Sequence, residues 1–146
     1  MEVTKVRNDS RKISVFFYGS FIDVQMLVEV GYRPDHVAVA RLSGFDIAAR
    51  PLATLVPSRD LTVWGILATA THDELARLYG RDWVRAYLPE AVVVTTDDGG
   101  IHPALCYIAP GPTAERPFEN YLERIRHAAR GLGFPQSYLS RLENLR

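Results

Sequence analysis

The chain has 146 residues, 47% of them hydrophobic, and its seventeen basic side chains balance seventeen acidic ones. That length suits one domain and buries roughly two-thirds of the unfolded surface, so neither a disulfide nor a metal staple is required. A formal net charge of zero argues against a protein whose main task is gripping nucleic acid, because that affinity comes from an excess of Lys and Arg on phosphates.

No stretch approaches the roughly 20 apolar residues of a membrane span. The polar run from Met1 to Lys12 has no apolar segment of signal-peptide type and reads as a flexible lead-in to one domain over 13–146. The one cysteine, Cys106, cannot form an internal disulfide, and it sits in the apolar run Ala104 to Ile108 as a small core hydrophobe. A cytoplasmic setting is expected, with neither nucleic acid nor membrane as partner.

In chain order, Ile13 to Tyr18 is β-branched and aromatic and stops at Gly19-Ser20, which reads as a buried strand ending in a tight turn. Ile22, Met26, Leu27 and Val30 follow at helical spacing, with Gly31 as C-cap. His36 to Leu42 alternates as a second strand, which Gly44 is expected to end. Phe45 to Arg50 and Leu52 to Val56 are short strand candidates around Pro51. Arg59-Asp60 is expected to turn the chain into a strong strand, Leu61 to Ala70, whose interior Gly65 marks a close backbone approach. Thr71-His72-Asp73-Glu74 is a capping box that starts a helix reaching Tyr79. Ala91 to Thr96 and Ile101 to Ala109 flank the hairpin loop Asp97-Asp98-Gly99-Gly100. Pro110 to Pro117 is a proline-rich loop. A helical stripe runs from Phe118 through Tyr121, Leu122 and Ile125 to Ala129, capped near Gly131 or Gly133, and Pro135 to Leu145 reads as a last helix. Strands at short spacing with few helices predict an α+β fold, a mostly antiparallel curved sheet or small β-barrel with flanking helices.

Phosphate-cradling and nucleophile-elbow glycine motifs are absent. His36, His72, His102 and His127 lack zinc spacing and read as surface or cap residues. Ser20 follows a glycine at a strand end, but no histidine stands in a recognisable triad context. The turn Tyr18-Gly19-Ser20 remains. Amides exposed in such a turn can hold an anion or oxyanion, and the three residues equally suit a plain strand-to-helix turn.

Further motifs accompany it. Val15 to Ser20, then Val63-Trp64-Gly65-Ile66-Leu67, then Asp73 to Leu78, then Ala91 to Val94 and Ala104 to Ile108, then Tyr121 to Leu139 with Gly133-Phe134-Pro135 and Tyr138, follow one another in an order and spacing that resembles the gamma-glutamylcyclotransferase-like (AIG2-like) family. The resemblance covers most of the chain. It implies that the backbone of Tyr18, Gly19 and Ser20, with Phe21 beside it, grips the glutamyl end of a small-molecule gamma-glutamyl substrate. It implies a carboxylate four residues after Leu78 as acid and base. The family has glutamate there and this chain has Asp82. Phe21 is a second departure, since the family often has Asn or Leu at that place.

The implied reaction is cyclisation of a gamma-glutamyl amide or amine to 5-oxoproline with release of the amine, by a cytoplasmic transferase or lyase that needs no metal or organic cofactor. One carboxylate can take the proton of the attacking amine and return it to the leaving one if it sits within about 2.6–3.2 Å of each. Asp is one methylene shorter than Glu, and a displacement near 1 Å costs on the order of 100-fold in rate. The alternative is a binding module on the same fold for a small amino-acid-like ligand, its chemistry lost with the shorter acid. Glu90 is the reserve carboxylate, while Glu74 serves its cap. The resemblance also implies that Tyr87 and Tyr107 line the pocket, with buried core aromatic as the other reading. Arg41 and Arg50 are either cations for a substrate carboxylate or solvated strand-edge charges. Asp82 is expected within roughly 8 Å of Ser20, with a pKa above the ordinary value of about 3.9.

Overall fold

A computed structural model describes residues 11–49, 51–81, 84, 86–110 and 118–145. Five strands close into a barrel in the order β1-β3-β2-β4-β5. These are β1 (Lys12–Phe17), β2 (Ala38–Ala49), β3 (Ala53–Thr71), β4 (Leu88–Thr96) and β5 (Ile101–Ile108). Neighbours are antiparallel except where β1 meets β5 in parallel, Val15 opposite Leu105, which is the contact that closes the sheet. Four α-helices accompany it among the described residues: α1 (Val24–Glu29), α2 (His72–Tyr79), α3 (Glu119–Gly131) and α4 (Gln136–Glu143). The α+β barrel expected from strand spacing is the fold observed.

The apolar run of β1 has no solvent face because both sides of the strand are used. Phe16 and Tyr18 enter the cluster that fills the barrel and extends to α3 and α4, while Val15 and Phe17 enter a second cluster with α1 and α2. Burying either phenylalanine contributes roughly 1.5–3 kcal/mol. Gly65 of β3 makes this double packing possible. A Cβ there would stand 2.1 Å from the Phe17 carbonyl oxygen and 2.9 Å from the Phe16 ring.

The middle of the chain differs from the expected set of short strands. Gly44 does not end β2; it adopts φ 92° inside it, at a bulge between Ser43 and Phe45. Ser43 pairs with Thr62 and Phe45 with Pro57, so Ser58 to Leu61 form an excursion opposite one glycine. Arg59-Asp60 therefore marks this excursion rather than a reversal, and the four expected pieces are two long coiled strands joined near residue 51. A left-handed glycine bends a strand while the ladder resumes beyond it. Other signals were direct. Thr71 and Glu74 form both hydrogen bonds of the capping box at 3.1 and 2.8 Å, and Gly99 (φ 83°) turns the β4–β5 hairpin. Cys106 is fully buried, and burial pushes its thiol up to about 12. Met1 to Ser10 of the expected lead-in and most of the Pro110–Pro117 loop lie outside the described residues, and Lys12 already belongs to β1.

Candidate functional site

The last residue of β1 is Phe17, and Tyr18 and Gly19 then lead into a single 3-10 turn, Ser20–Ile22, ahead of α1. The carbonyls of Gly19 and Ser20 accept from the amides of Ile22 and Asp23, both at 3.1 Å. The amides of Gly19, Ser20 and Phe21 have no backbone acceptor among the described residues, as the geometry at the start of a helical turn dictates. Gly19 has a negative φ of −99° and is not a left-handed turn glycine; space is one reason it is required. A Cβ would lie 2.9 Å from the Cβ of Ala53 and 3.7 Å from the Tyr121 hydroxyl.

Ala53 opens β3 and is clamped at both ends of its backbone. Its N–H donates to the Tyr121 phenol oxygen at 2.8 Å, and its carbonyl accepts a short hydrogen bond from the Tyr87 hydroxyl. Tyr121 comes from α3, so one oxygen ties the helix to the barrel. Since that oxygen accepts from Ala53, its own proton is left to donate elsewhere. The Ser20 hydroxyl lies close enough to lower the phenol's pKa, against the larger effect of burial, which raises it. Arg124, one turn further along α3, donates to Asp23 Oδ2 at 2.6 Å. The Oδ1 of the same carboxylate caps α1 by accepting from the Gln25 amide at 3.0 Å. The turn is thus held from β1, α1 and α3 together.

A second layer of aromatic rings backs the first. The Tyr18 hydroxyl donates to the Tyr107 carbonyl at 2.7 Å. Tyr79 lies flat on Tyr107, centroids 3.8 Å apart at 7°, and meets Phe21 edge-on. Burial raises the pKa of Tyr18, Tyr79, Tyr87, Tyr107 and Tyr121 alike. All five are neutral hydroxyls at physiological pH, hydrogen-bonding groups rather than nucleophiles or bases.

These elements enclose a cavity lined by Phe17 to Phe21, Leu52, Ala53, Tyr79, Val84, Tyr87 and Tyr121, with a volume of about 30 Å³. That admits about two water molecules. Of the residues singled out in the sequence, Tyr18, Gly19, Ser20, Phe21 and Tyr87 line it, and Tyr107 stands behind Tyr79. Asp82 and Arg50 lie outside the described residues. Arg41 sits over the Trp64 ring at 5.8 Å, and Glu90 is exposed on β4, so neither lines the cavity. Tyr121 and Tyr79 were read only as parts of helices. The available signal was chemical: a tyrosine on a buried stripe needs a partner for its hydroxyl, and a leucine or phenylalanine would not. Among the described residues no group of three or more His, Cys, Asp and Glu side chains is arranged to hold a metal.

Comparison with solved structures places this barrel in a known architecture. A gamma-glutamyl cyclotransferase superposes with TM-score 0.77 at 22% identity, over 93% of this chain and 89% of that one. The chain has the gamma-glutamyl cyclotransferase fold. An uncharacterized human protein shares it with TM-score 0.80 at 21% identity, over 94% of this chain and 89% of that one. An AIG2-like protein from Mus musculus does so with TM-score 0.50 at 14% identity, over 76% and 82%. No family model matches the sequence, and no curated protein does. No described helix is long and apolar enough to cross a membrane.

Proposed function

We propose that the chain is a cofactor-independent cyclotransferase that closes the glutamyl group of a gamma-glutamyl amide or amine to 5-oxoproline and releases the amine. The observation that carries this reading is one small cavity, in a cyclotransferase fold, lined by Gly19, Ser20 and Phe21, whose amides have no backbone acceptor among the described residues, and by Tyr121. The amides suit the α-carboxylate or the γ-carbonyl oxygen of a glutamyl group, and Tyr121 adds a donor beside them.

In the reaction the α-amine nitrogen bonds to the γ-carbonyl carbon, and the bond from that carbon to the leaving nitrogen breaks. The proton shed by the attacking amine goes to a carboxylate and then to the leaving amine. Asp82 is assigned this transfer, and Val84, two residues along the chain, lines the cavity. No redox change occurs, and the one carboxylate accounts for every proton moved, so this reading invokes neither metal nor organic cofactor.

A second reading rests on the size of the cavity. About 30 Å³ is far below the roughly 300 Å³ or more of a typical small-molecule pocket. A site that widens only partly, served by a shortened acid, would hold a small amino-acid-like ligand without turning it over. Incubation with a panel of gamma-glutamyl amides and amines separates the two. The enzyme reading expects 5-oxoproline with at least one member. The binding reading expects saturable binding and no 5-oxoproline.

A further inference from the structure

Arg124 of α3 stands between two carboxylates of the α1 segment. Its Nε donates to Asp23 Oδ2 at 2.6 Å, and its Nη2 is 3.6 Å from Glu29 Oε1. Asp23 joins two elements. Its amide donates to the Ser20 carbonyl at 3.1 Å, which closes the 3-10 turn Ser20–Ile22. Its Oδ1 accepts from the Gln25 amide at 3.0 Å, which caps α1. Both carboxylate oxygens are thereby engaged, so the side chain is fixed next to the turn.

Capping does not need a charge there, because Asn caps a helix about as well as Asp. Nor does the pair add much to stability, since its side chains are 37% and 22% exposed. What the charge does reach is the cavity lined by Gly19, Ser20 and Phe21. A 3-10 turn rises about 2 Å per residue, which puts the Asp23 backbone about 6 Å along the axis from Ser20. That is inside the roughly 10 Å over which charges still act on one another in ordinary salt. Left unpaired, the Asp23 carboxylate would repel an anion held on the turn amides. Paired with Arg124, it is neutralised.

We propose that Arg124 is a positioning residue for carboxylate binding at this turn, acting through Asp23, whose charge it neutralises so that the amides of Gly19, Ser20 and Phe21 can take an anion. The inference rests on the reading that these amides hold the α-carboxylate of a glutamyl group. The test is a low-salt titration of isotopically labelled protein, followed through the amide resonances of Gly19, Ser20 and Phe21. The ligands are 5-oxoproline, an anion at neutral pH, and 5-oxoprolinamide, its uncharged equivalent. Arg124→Gln should weaken 5-oxoproline by about two- to thirtyfold, the span between water-like and surface-pair screening at a separation of roughly 8 Å. It should leave 5-oxoprolinamide unchanged, and the loss should fade as salt is raised. Asp23→Asn should bind the anion at least as tightly as the wild type does. The double variant, which has the wild-type sum of charges, should recover the wild-type affinity. Equal loss of both ligands in Arg124→Gln, no loss at all, or no recovery in the double variant would overturn the proposal, because Arg124 would then serve the fold alone. A wild type that binds no 5-oxoproline at this turn would instead remove the anion grip itself, and this inference with it.

Discussion

Replacing Tyr121 by Phe deletes one oxygen and keeps the ring. That oxygen is the acceptor for the Ala53 amide at 2.8 Å, and Ala53 is 3% exposed, so the amide loses its acceptor unless a water in the adjoining cavity takes its place. Leaving a buried N–H unpaired costs about 1–3 kcal/mol. For a chain of this size each kcal/mol moves the melting temperature by roughly 2–4 °C, which predicts a fall of roughly 2–12 °C. The same hydroxyl belongs to a residue that lines the cavity, and its proton is not used by the Ala53 contact. Loss of a donor to a charged or developing oxyanion should lower kcat/KM by roughly 10- to 100-fold on any gamma-glutamyl substrate that is turned over. Urea denaturation and thermal melting read the first effect and product formation the second. Tyr138→Phe is the control: it deletes an oxygen with no partner and is expected to cost nothing. A Tyr121→Phe protein as stable and as active as the wild type would refute the clamp.

Other perturbations follow from the same geometry. Gly65→Ala drives a Cβ to 2.1 Å from the Phe17 carbonyl; that contact is backbone and cannot swing aside, so a loss of about 3 kcal/mol or more is expected in denaturant melts. Gly19→Ala meets the Ala53 Cβ at 2.9 Å and should cost about 1–3 kcal/mol while displacing the turn amides, read as weakened ligand binding beyond the stability loss. Arg126 is buried and donates to the carbonyls of Leu142, Glu143 and Leu145 at 3.0–3.4 Å, closing the C-terminal end of α4; Arg126→Met should lower stability by roughly 2 kcal/mol, and hydrogen exchange should locate the loss in α4. Cys106 and the buried tyrosines have folded pKa values raised above 9.0 and 10.0, their ordinary values. Their contribution is complete below about pH 9 and is lost as pH rises toward the folded values, so alkaline unfolding should coincide with the appearance of tyrosinate absorbance.

The sequence made legible whatever depends on neighbours along the chain. The capping box, the hairpin turn at Gly99, the run that ends at Tyr18-Gly19-Ser20 and the crowded Gly65 are local signals, and each one is found in the fold. Gly44 and Arg59-Asp60 were read as ends because a bulge and a turn call for the same residue types. Only the pairing of Ser43 with Thr62 and Phe45 with Pro57 tells them apart. The site was legible at the turn after β1 and at Tyr87, and not on α3. Tyr121 stands 68 positions from the Ala53 amide it accepts from, and Tyr138 carries the same stripe signature with an unpartnered hydroxyl. Periodicity marks both as buried and cannot say what their oxygens meet.

The central claim is tested most directly by the stoichiometry of the reaction. Chelator-treated protein in cofactor-free buffer is supplied with gamma-glutamyl amides, and 5-oxoproline and free amine are measured together, for the wild type and for Asp82→Asn. The account predicts the two products in equal amounts from the wild type and neither from Asp82→Asn, which retains the wild-type melting temperature. Amine released with free glutamate in place of 5-oxoproline, or full activity in Asp82→Asn, would contradict it.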